Sequence, residues 1–208
     1  MAVIDDALLP SRYRRIADAL KSDVDWSPRH GPLSTNSARS GSSSTAAEVA
    51  DPSASDETTR QHHFFRHEVF ERAKQGRELS PGILDLVRFK ALLSSDAFLD
   101  WTGLVTGQRP KALQELLIRR MVHGDVAPRH DDAIGGRRLC ALLYFSDDWC
   151  EAMGGQFVMH ARDGDRVIEP LPNRMILFDV NTGLKHSVLP LTDRAKDFQR
   201  FNFSIWFR

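Results

Sequence analysis

The stretch that alternates most strictly in this chain is Arg200-Phe201-Asn202-Phe203-Ser204-Ile205-Trp206-Phe207. Side chains of a β-strand point to opposite faces in turn, so the three phenylalanines and Ile205 share one face. The other face carries the polar residues of the stretch together with Trp206. This alternation predicts a strand with one face packed on an apolar core and a second, more polar face.

Other strand-like segments precede this strand, and glycine, proline, asparagine or aspartate residues mark the turns between them. They cover residues 113–122, 138–145, 156–160, 166–169, 175–178 and 186–189. Short strands at this spacing, separated by strong turn signals, are typical of an all-β barrel or sandwich. The sequence therefore predicts a mainly β core with flanking helices.

Three side chains of this region form a candidate metal site. On a strand, His130 and Asp132 point to the same face because they are two residues apart. His186, in a later predicted strand, offers a second imidazole. Two histidines and one carboxylate leave coordination positions open, as in non-haem Fe(II) oxygenases. Zinc can use the same ligands, and His123 is the other histidine that competes for this role.

Arg200 is a candidate for binding an acidic molecule. A buried guanidinium needs an anionic partner, because an unpaired charge out of water is costly. A dicarboxylate ligand would provide that partner through a two-pronged contact. A protein acid such as Asp193 or Asp197 would serve equally well, so the residues alone leave both possibilities open.

The stretch from Met121 to Phe207 resembles the Fe(II)/2-oxoglutarate-dependent dioxygenase superfamily, in its prolyl-4-hydroxylase-like branch. The resemblance implies a double-stranded β-helix, that is, a cupin-like jelly roll, packed by N-terminal helices. The residues that carry it occur in order: 124–132 around the His130 motif, Leu142-Leu143-Tyr144-Phe145, Trp149, Gly154-Gly155, Ile168-Glu169-Pro170, 173–178, His186-Ser187-Val188, Arg200 and Trp206.

The same resemblance implies the chemistry of the site. It makes His130, Asp132 and His186 the ligands of Fe(II), and Arg200 the anchor for the distal carboxylate of the cosubstrate 2-oxoglutarate. O2 would be the oxidant, and an unactivated C–H bond would be hydroxylated with release of succinate and CO2. No catalytic residue beyond the metal ligands is implied. Halogenating relatives have a small residue in place of the carboxylate, so Asp132 indicates hydroxylation.

Two positions depart from the family pattern. Many relatives have a 2-oxoglutarate-binding tyrosine nine residues before the first histidine, where this chain has Met121. Tyr144 is our candidate for its replacement. Relatives often have serine two residues after the anchoring arginine, where this chain has Asn202, whose amide can also donate a hydrogen bond. Arg200, Asn202 and Tyr144 are therefore the predicted 2-oxoglutarate contacts.

The substrate is predicted less specifically than the reaction. We expect a small molecule, such as an amino acid or a derivative of one, and the alternative is a prolyl residue of a peptide or protein. Arg119 and Arg137 flank the metal motif and either bind a substrate carboxylate or belong to the solvated surface. From other functional classes, a non-enzymatic cupin-like metal-binding domain and a zinc hydrolase remain alternatives.

Composition bounds the class of protein. The 208 residues include 28 basic and 28 acidic side chains, and this balance gives no reason to expect a nucleic-acid or membrane partner. The two cysteines are too few for a disulfide scaffold, and the first residues lack the pattern of a signal peptide. We therefore expect a cytoplasmic monomer or homodimer.

The N-terminal half is predicted to be helical, with one interruption. Residues 1–32 form a helical segment around Ser11–Lys21, and residues 33–59 a flexible Ser/Ala-rich insertion that is either disordered or a lid. Residues 60–208 form the dioxygenase domain, with the catalytic jelly roll at about 113–208. Within it, helices are predicted at 58–75, after Ser80-Pro81 as N-cap and N1 residues, and at about 96–104.

Overall fold

The predicted C-terminal strand lies in the middle of the larger of two antiparallel sheets. The structure is a computed structural model that describes residues 1–24, 26–31, 62–67, 76 and 78–208. Its helices are α1 (Pro10–Ser22), α2 (Pro81–Leu93) and α3 (Asp96–Thr106). Its strands are β1 (Ala2–Ile4), β2 (Ser27–Gly31), β3 (His62–His67), β4 (Leu113–Met121), β5 (Ala127–His130), β6 (Leu139–Tyr144), β7 (Phe157–Ala161), β8 (Gly164–Ile168), β9 (Met175–Asp179), β10 (Lys185–Val188) and β11 (Arg200–Phe207).

The two sheets face each other across an apolar interior. The larger, seven-stranded sheet has the order β1-β9-β6-β11-β4-β3-β2, and the smaller, four-stranded sheet has the order β5-β10-β7-β8. Phe157 and Met159 of the smaller sheet share a buried cluster with Cys140, Leu142 and Trp206 of the larger one. This arrangement confirms the predicted jelly roll.

Strand β11 separates the inner core from a second core under the helices. Phe203 is fully buried, with its ring 4.4 Å from Phe145 and 6.1 Å from Phe89 of α2. The residues that alternate with it, from Arg200 to Trp206, are buried on the side of the smaller sheet. The alternation read from the sequence therefore positions both cores, and the polar face of β11 lies inside the jelly roll.

The helices cover the outer face of the larger sheet. Helix α2 begins as predicted, with the Ser80 side chain accepting a hydrogen bond from the backbone N–H of Ile83 and with Pro81 in the first turn. It crosses α1 closely at Gly82, where an added Cβ would come within 2.2 Å of the Arg15 carbonyl oxygen. The buried Asp85 pairs with Arg15 at this crossing. No helix in the described ranges is long and apolar enough to cross a membrane.

Two predictions for the N-terminal half need correction. The helix predicted at 58–75 is wrong for residues 62–67, which form β3 and pair with β4. Segment 1–32 contains α1 as predicted, but also β1 and β2, so the larger sheet extends beyond the predicted jelly-roll boundary at about 113. Pairing with an existing strand satisfies the hydrogen-bonding groups of the backbone in these short segments. This gain outweighs the local preference of their sequence for helix. The predicted insertion at 33–59 lies outside the described residues.

Candidate metal centre

The three predicted metal ligands converge at one end of the smaller sheet. His130 on β5 and His186 on β10 are direct partners in the strand register, and their ring centroids are 4.3 Å apart. Asp132 Oδ2 lies 3.3 Å from His186 Nε2, and Asp132 Oδ1 lies 3.9 Å from His130 Nε2. The candidate ligand atoms all lie within 4.8 Å of one another. These spacings suit donors that surround a single ion.

The strand explains the direction of His130 but not that of Asp132. Strand β5 ends at His130, so Asp132 lies two residues beyond it, and the period-two argument does not extend that far. His130 Nδ1 lies 2.7 Å from the carbonyl oxygen of Pro128. A carbonyl only accepts, so Nδ1 donates this hydrogen bond, and Nε2, on the side of Asp132, is the nitrogen left to bind a metal when the ring is neutral. This tautomer is the one that a metal requires.

Burial and charge give the site the chemistry of a metal centre. Burial alone would raise the pKa of the Asp132 carboxyl, but its interactions with His186 and His130 outweigh that effect and hold the pKa below its usual range. The rings of Phe157 and Phe178 flank His186 with centroids 5.3 and 5.2 Å away. An ionised carboxylate and two imidazoles in apolar surroundings form a ligand set that can bind Fe(II). The rival ligand His123 instead contacts Asp193.

Arg200 lies in the same cavity as the metal ligands and is 1% exposed. Its Nε donates to the Gly155 carbonyl oxygen at 2.9 Å, and its Nη1 donates to Asn202 Oδ1 at 2.8 Å. Its Nη2 is buried and has no hydrogen-bond partner in the part of the chain that the structure describes. Within the described ranges no carboxylate pairs with it, so neither Asp193 nor Asp197 fills the role considered above. The guanidinium is therefore ready for an anionic ligand.

Tyr144 is the second polar group left unsatisfied beside this guanidinium. The Arg200 Cζ atom lies 5.0 Å from the centroid of the Tyr144 ring. The Tyr144 hydroxyl is buried, and no described residue forms a hydrogen bond with it. Burial raises the pKa of Tyr144 to about 12, so the hydroxyl stays protonated and can donate. Asn202 also donates to Ser204 Oγ at 3.1 Å, and this contact fixes the amide that holds Arg200. The roles of all three side chains toward 2-oxoglutarate stay predictions.

Gly155 and Met121 contact Arg200 in ways that the sequence motifs did not reveal. A Cβ at Gly155 would lie 2.8 Å from Leu191 Cδ2 and 3.0 Å from Arg200 Cδ, and its φ of +76° disfavours any other residue. Glycine at position 155 thus leaves room for the Arg200 side chain, whereas Gly154 leaves room for the Pro190 carbonyl oxygen. Met121, which replaces the expected tyrosine, places Sδ 3.4 Å from Arg200 Nη1. Its thioether fills space but cannot donate to a carboxylate.

The two candidate substrate arginines both lie beside Trp206. The Cζ atom of Arg119 lies 5.5 Å from the centroid of the Trp206 ring, and that of Arg137 lies 4.1 Å from it. Arg119 lines the cavity of the metal ligands. Arg137 is 13% exposed and contacts Glu115 and Asp132. The structure therefore brings both side chains to the site, and their role toward a substrate stays a prediction.

Comparison with known proteins finds one family whose model matches the part of the chain that contains the site. Residues 116–208 match the model of the 2OG-Fe(II) oxygenase superfamily. This match confirms the resemblance seen in the sequence and covers the strands that hold His130, His186 and Arg200. The name of the superfamily specifies the cofactors that we predicted, and the ligand triad and the unsatisfied Arg200 and Tyr144 fit them.

One relative of the chain is a prolyl hydroxylase by name. The chain is 29% identical over 144 residues to prolyl 3,4-dihydroxylase OGFOD1 of Ostreococcus tauri, a match that spans 63% of this chain and 28% of that protein. The chain thus covers little more than a quarter of that relative's length.

Solved structures share the fold at lower identity. A Pseudomonas putida prolyl-4-hydroxylase superposes with a TM-score of 0.61 at 18% identity, over 100% of this chain and 91% of that one. A Trichoplax adhaerens prolyl hydroxylase in complex with a hypoxia-inducible-factor peptide superposes with a TM-score of 0.66 at 17% identity, over 99% and 82%. At these identities the likeness shows the fold.

Proposed function

We propose that this protein is an Fe(II)- and 2-oxoglutarate-dependent hydroxylase. The observation that carries the proposal is the buried Arg200 guanidinium, with one unsatisfied nitrogen beside the unsatisfied Tyr144 hydroxyl, in the cavity that also holds the metal ligands. A protein that only stored a structural metal would have no use for a second, cationic half of the site. Burying these groups unpaired costs free energy that a dicarboxylate ligand would recover.

Each side chain has one task in this proposal. His130, Asp132 and His186 would hold Fe(II) on one side, which leaves positions for the cosubstrate and O2. Arg200 would bind the distal carboxylate of 2-oxoglutarate, assisted by the Tyr144 hydroxyl. When bound, Fe(II) and 2-oxoglutarate together activate O2 to insert one oxygen atom into a C–H bond, with succinate and CO2 as the other products. Phe157 and Phe178 keep the metal side of the cavity apolar.

For the substrate, the comparisons favour the second of the two sequence predictions. The relative at 29% identity is named as a prolyl 3,4-dihydroxylase, so we propose a prolyl residue of a peptide or protein. The small-molecule substrate predicted first is the alternative. Supplying the loaded protein with prolyl peptides in one assay and with free amino acids in another distinguishes them, since only a true substrate gains an oxygen atom in its mass spectrum.

The first test of the proposal needs no substrate. Fe(II)-loaded protein is titrated anaerobically with 2-oxoglutarate, and the visible charge-transfer band expected for a chelated 2-oxo acid is recorded. We expect the band in the wild type and no band in Asp132→Ala. In Arg200→Gln, the 2-oxoglutarate concentration at half-saturation should rise 10- to 100-fold, which corresponds to the loss of a charge-assisted hydrogen bond. Arg194→Gln, an exposed arginine, is the matched control.

Other outcomes point to the other functional classes. Stoichiometric iron binding with no band and no 2-oxoglutarate affinity would overturn the oxygenase proposal in favour of a cupin-like binding domain. Activity that persists with zinc in the absence of O2 would instead support a hydrolase.

A further inference from the structure

Arg137 lies between two carboxylates near the metal ligands. Its Nη2 donates to Glu115 Oε2 at 2.6 Å, and its Nη1 lies 3.7 Å from Asp132 Oδ1. The two terminal nitrogens of one guanidinium thus face one acid each. The Glu115 side chain is 34% exposed and that of Arg137 is 13% exposed, while Asp132 is buried at 4%. The three charged side chains thus become more buried in turn, from Glu115 to the metal ligand Asp132.

The Trp206 ring lies against this guanidinium. Arg137 Cζ lies 4.1 Å from the ring centroid, a distance at which a planar cation stacks favourably on an indole. Glu115 and Trp206 are direct partners in the register of β4 and β11. One rigid part of the larger sheet therefore provides both the acid that holds Arg137 and the surface on which it rests.

From this geometry we propose that Glu115 and Arg137 act as a neutral pair that positions the Asp132 carboxylate for metal binding. The inference rests on the proposed metal site. Asp132 lies beyond the end of β5, so the strand does not fix its side chain. His186 Nε2 faces one oxygen and Arg137 Nη1 the other, which restricts rotation of the carboxylate. Partners of this kind typically change metal affinity 10- to 100-fold.

The sign of the charges explains why Glu115 is needed. A lone guanidinium near a cation site repels the cation and competes for the carboxylate. Glu115 offsets the charge of Arg137, so orientation is retained without net repulsion. The same contacts disfavour Arg137 as a substrate ligand, because its two terminal nitrogens already face protein carboxylates. Arg137 is therefore a positioning residue, whereas Arg119 stays a candidate for substrate binding.

The test compares metal affinities of charge-balanced variants. The double variant Glu115→Gln/Arg137→Gln removes one charge of each sign, so the net charge near the metal does not change. Ni(II), which needs no O2 exclusion, is titrated in competition with a chelating dye. We expect 10- to 100-fold weaker binding in the double variant. The single variant Glu115→Gln, at a half-exposed position, should also bind more weakly, because it leaves the charge of Arg137 without its counter-charge.

A second charge-balanced pair serves as the control. Asp163→Asn/Arg166→Gln removes the exposed ion pair at the turn between β7 and β8 and should leave Ni(II) affinity unchanged. Thermal unfolding of the metal-free proteins checks that each variant is folded. Wild-type affinity in both Glu115 variants, with affinity lost in Asp132→Ala, would overturn this inference alone. Wild-type affinity in Asp132→Ala would overturn the metal site itself, and with it the proposed function.

Discussion

At Tyr144, the hydroxyl has no hydrogen-bond partner among the described residues, so its removal should affect the ligand rather than the fold. We predict that Tyr144→Phe weakens 2-oxoglutarate binding by about tenfold, the value of one hydrogen bond, without lowering the melting temperature. Because burial raises the pKa of Tyr144 to about 12, the effect should be the same at pH 6 and pH 8, about four units or more below it. Anaerobic calorimetry with the metal-loaded protein measures it.

The control for this prediction is the other tyrosine of the chain. The Tyr13 hydroxyl donates a hydrogen bond to Asp147 at 2.7 Å. Tyr13 itself is far from the metal ligands in the sequence and packs on the helix side of the larger sheet. Tyr13→Phe should therefore lose about 1 kcal/mol of stability and keep its 2-oxoglutarate affinity. If both variants lose affinity equally, Tyr144 acts only through the stability of the fold.

Gly155 provides a second residue-scale prediction. Gly155→Ala should lower both stability, by about 1–3 kcal/mol, and 2-oxoglutarate affinity, because the new methyl would displace the Arg200 side chain. Gly107→Ala has nearly the same positive φ, +75° against +76°, but an open Cβ position, so it isolates the backbone strain. Denaturant unfolding and the 2-oxoglutarate titration together measure the two effects. Equal affinities in the two variants would show that the contact with Arg200 is unimportant.

The sequence predicted single residues well when one motif carried the chemistry. His130, Asp132 and His186 are close in type and order to a known ligand pattern, and they converge in the structure. Glu115 and Gly155 act through other side chains, and only the three-dimensional contacts reveal them. A glycine that admits an arginine, or a glutamate that neutralises one, has no local sequence pattern of its own.

Secondary-structure elements were predicted correctly where the periodic pattern of apolar residues extended over many positions. The eight residues of β11 alternate except at Trp206, and the strand forms as predicted, with its polar face buried as well as its apolar one. Strand β3 has six residues with no such alternation, so its helix prediction failed against pairing with β4. Short apolar runs do not distinguish helix from strand, because the deciding hydrogen bonds come from distant residues.

The crossing of α1 and α2 makes a pH-dependent contribution to stability. Asp85 is buried, and its hydrogen bond with Arg15 outweighs desolvation and lowers the pKa of its carboxyl. A pKa below the unfolded value of about 3.9 stabilises the fold above that value, and this stabilisation disappears as the pH falls through the folded pKa. We predict that Asp85→Asn is less stable than the wild type at pH 7 and that the difference shrinks below about pH 4.

Urea unfolding at pH 7, 5, 4 and 3 measures this dependence. The control is Asp96→Asn, which removes an acid that is 89% exposed in its pair with Arg109. Exposed pairs contribute about 0–1 kcal/mol, so this variant should unfold nearly as the wild type does at every pH. A constant difference between Asp85→Asn and the wild type across the series would show that packing, not charge, accounts for the effect.

At the scale of the whole molecule, the site joins the two sheets. His130 and His186 belong to the smaller sheet, whereas Arg200 and Tyr144 belong to the larger one. The jelly roll itself was predictable from the family resemblance, but the edge strand β1 was not, because three residues are too few to show a period. Binding at such a site should therefore depend on both sheets, and two ligands that fill it together should support each other.

We predict positive coupling between metal and 2-oxoglutarate, measured with Ni(II) so that no turnover occurs. The 2-oxo acid end needs the metal and the distal end needs Arg200, so each ligand should bind more tightly when the other is present. Linkage requires the two factors to be equal, and 5- to 150-fold is the usual range. Thermal unfolding should show each ligand raising the melting temperature, and both together raising it by more than the sum. In Arg200→Gln the shift caused by metal should persist while the extra shift disappears. If the two shifts in melting temperature were simply additive in the wild type, 2-oxoglutarate would not bind at the metal. The proposed site would then be wrong as a whole, not only in the roles of single residues.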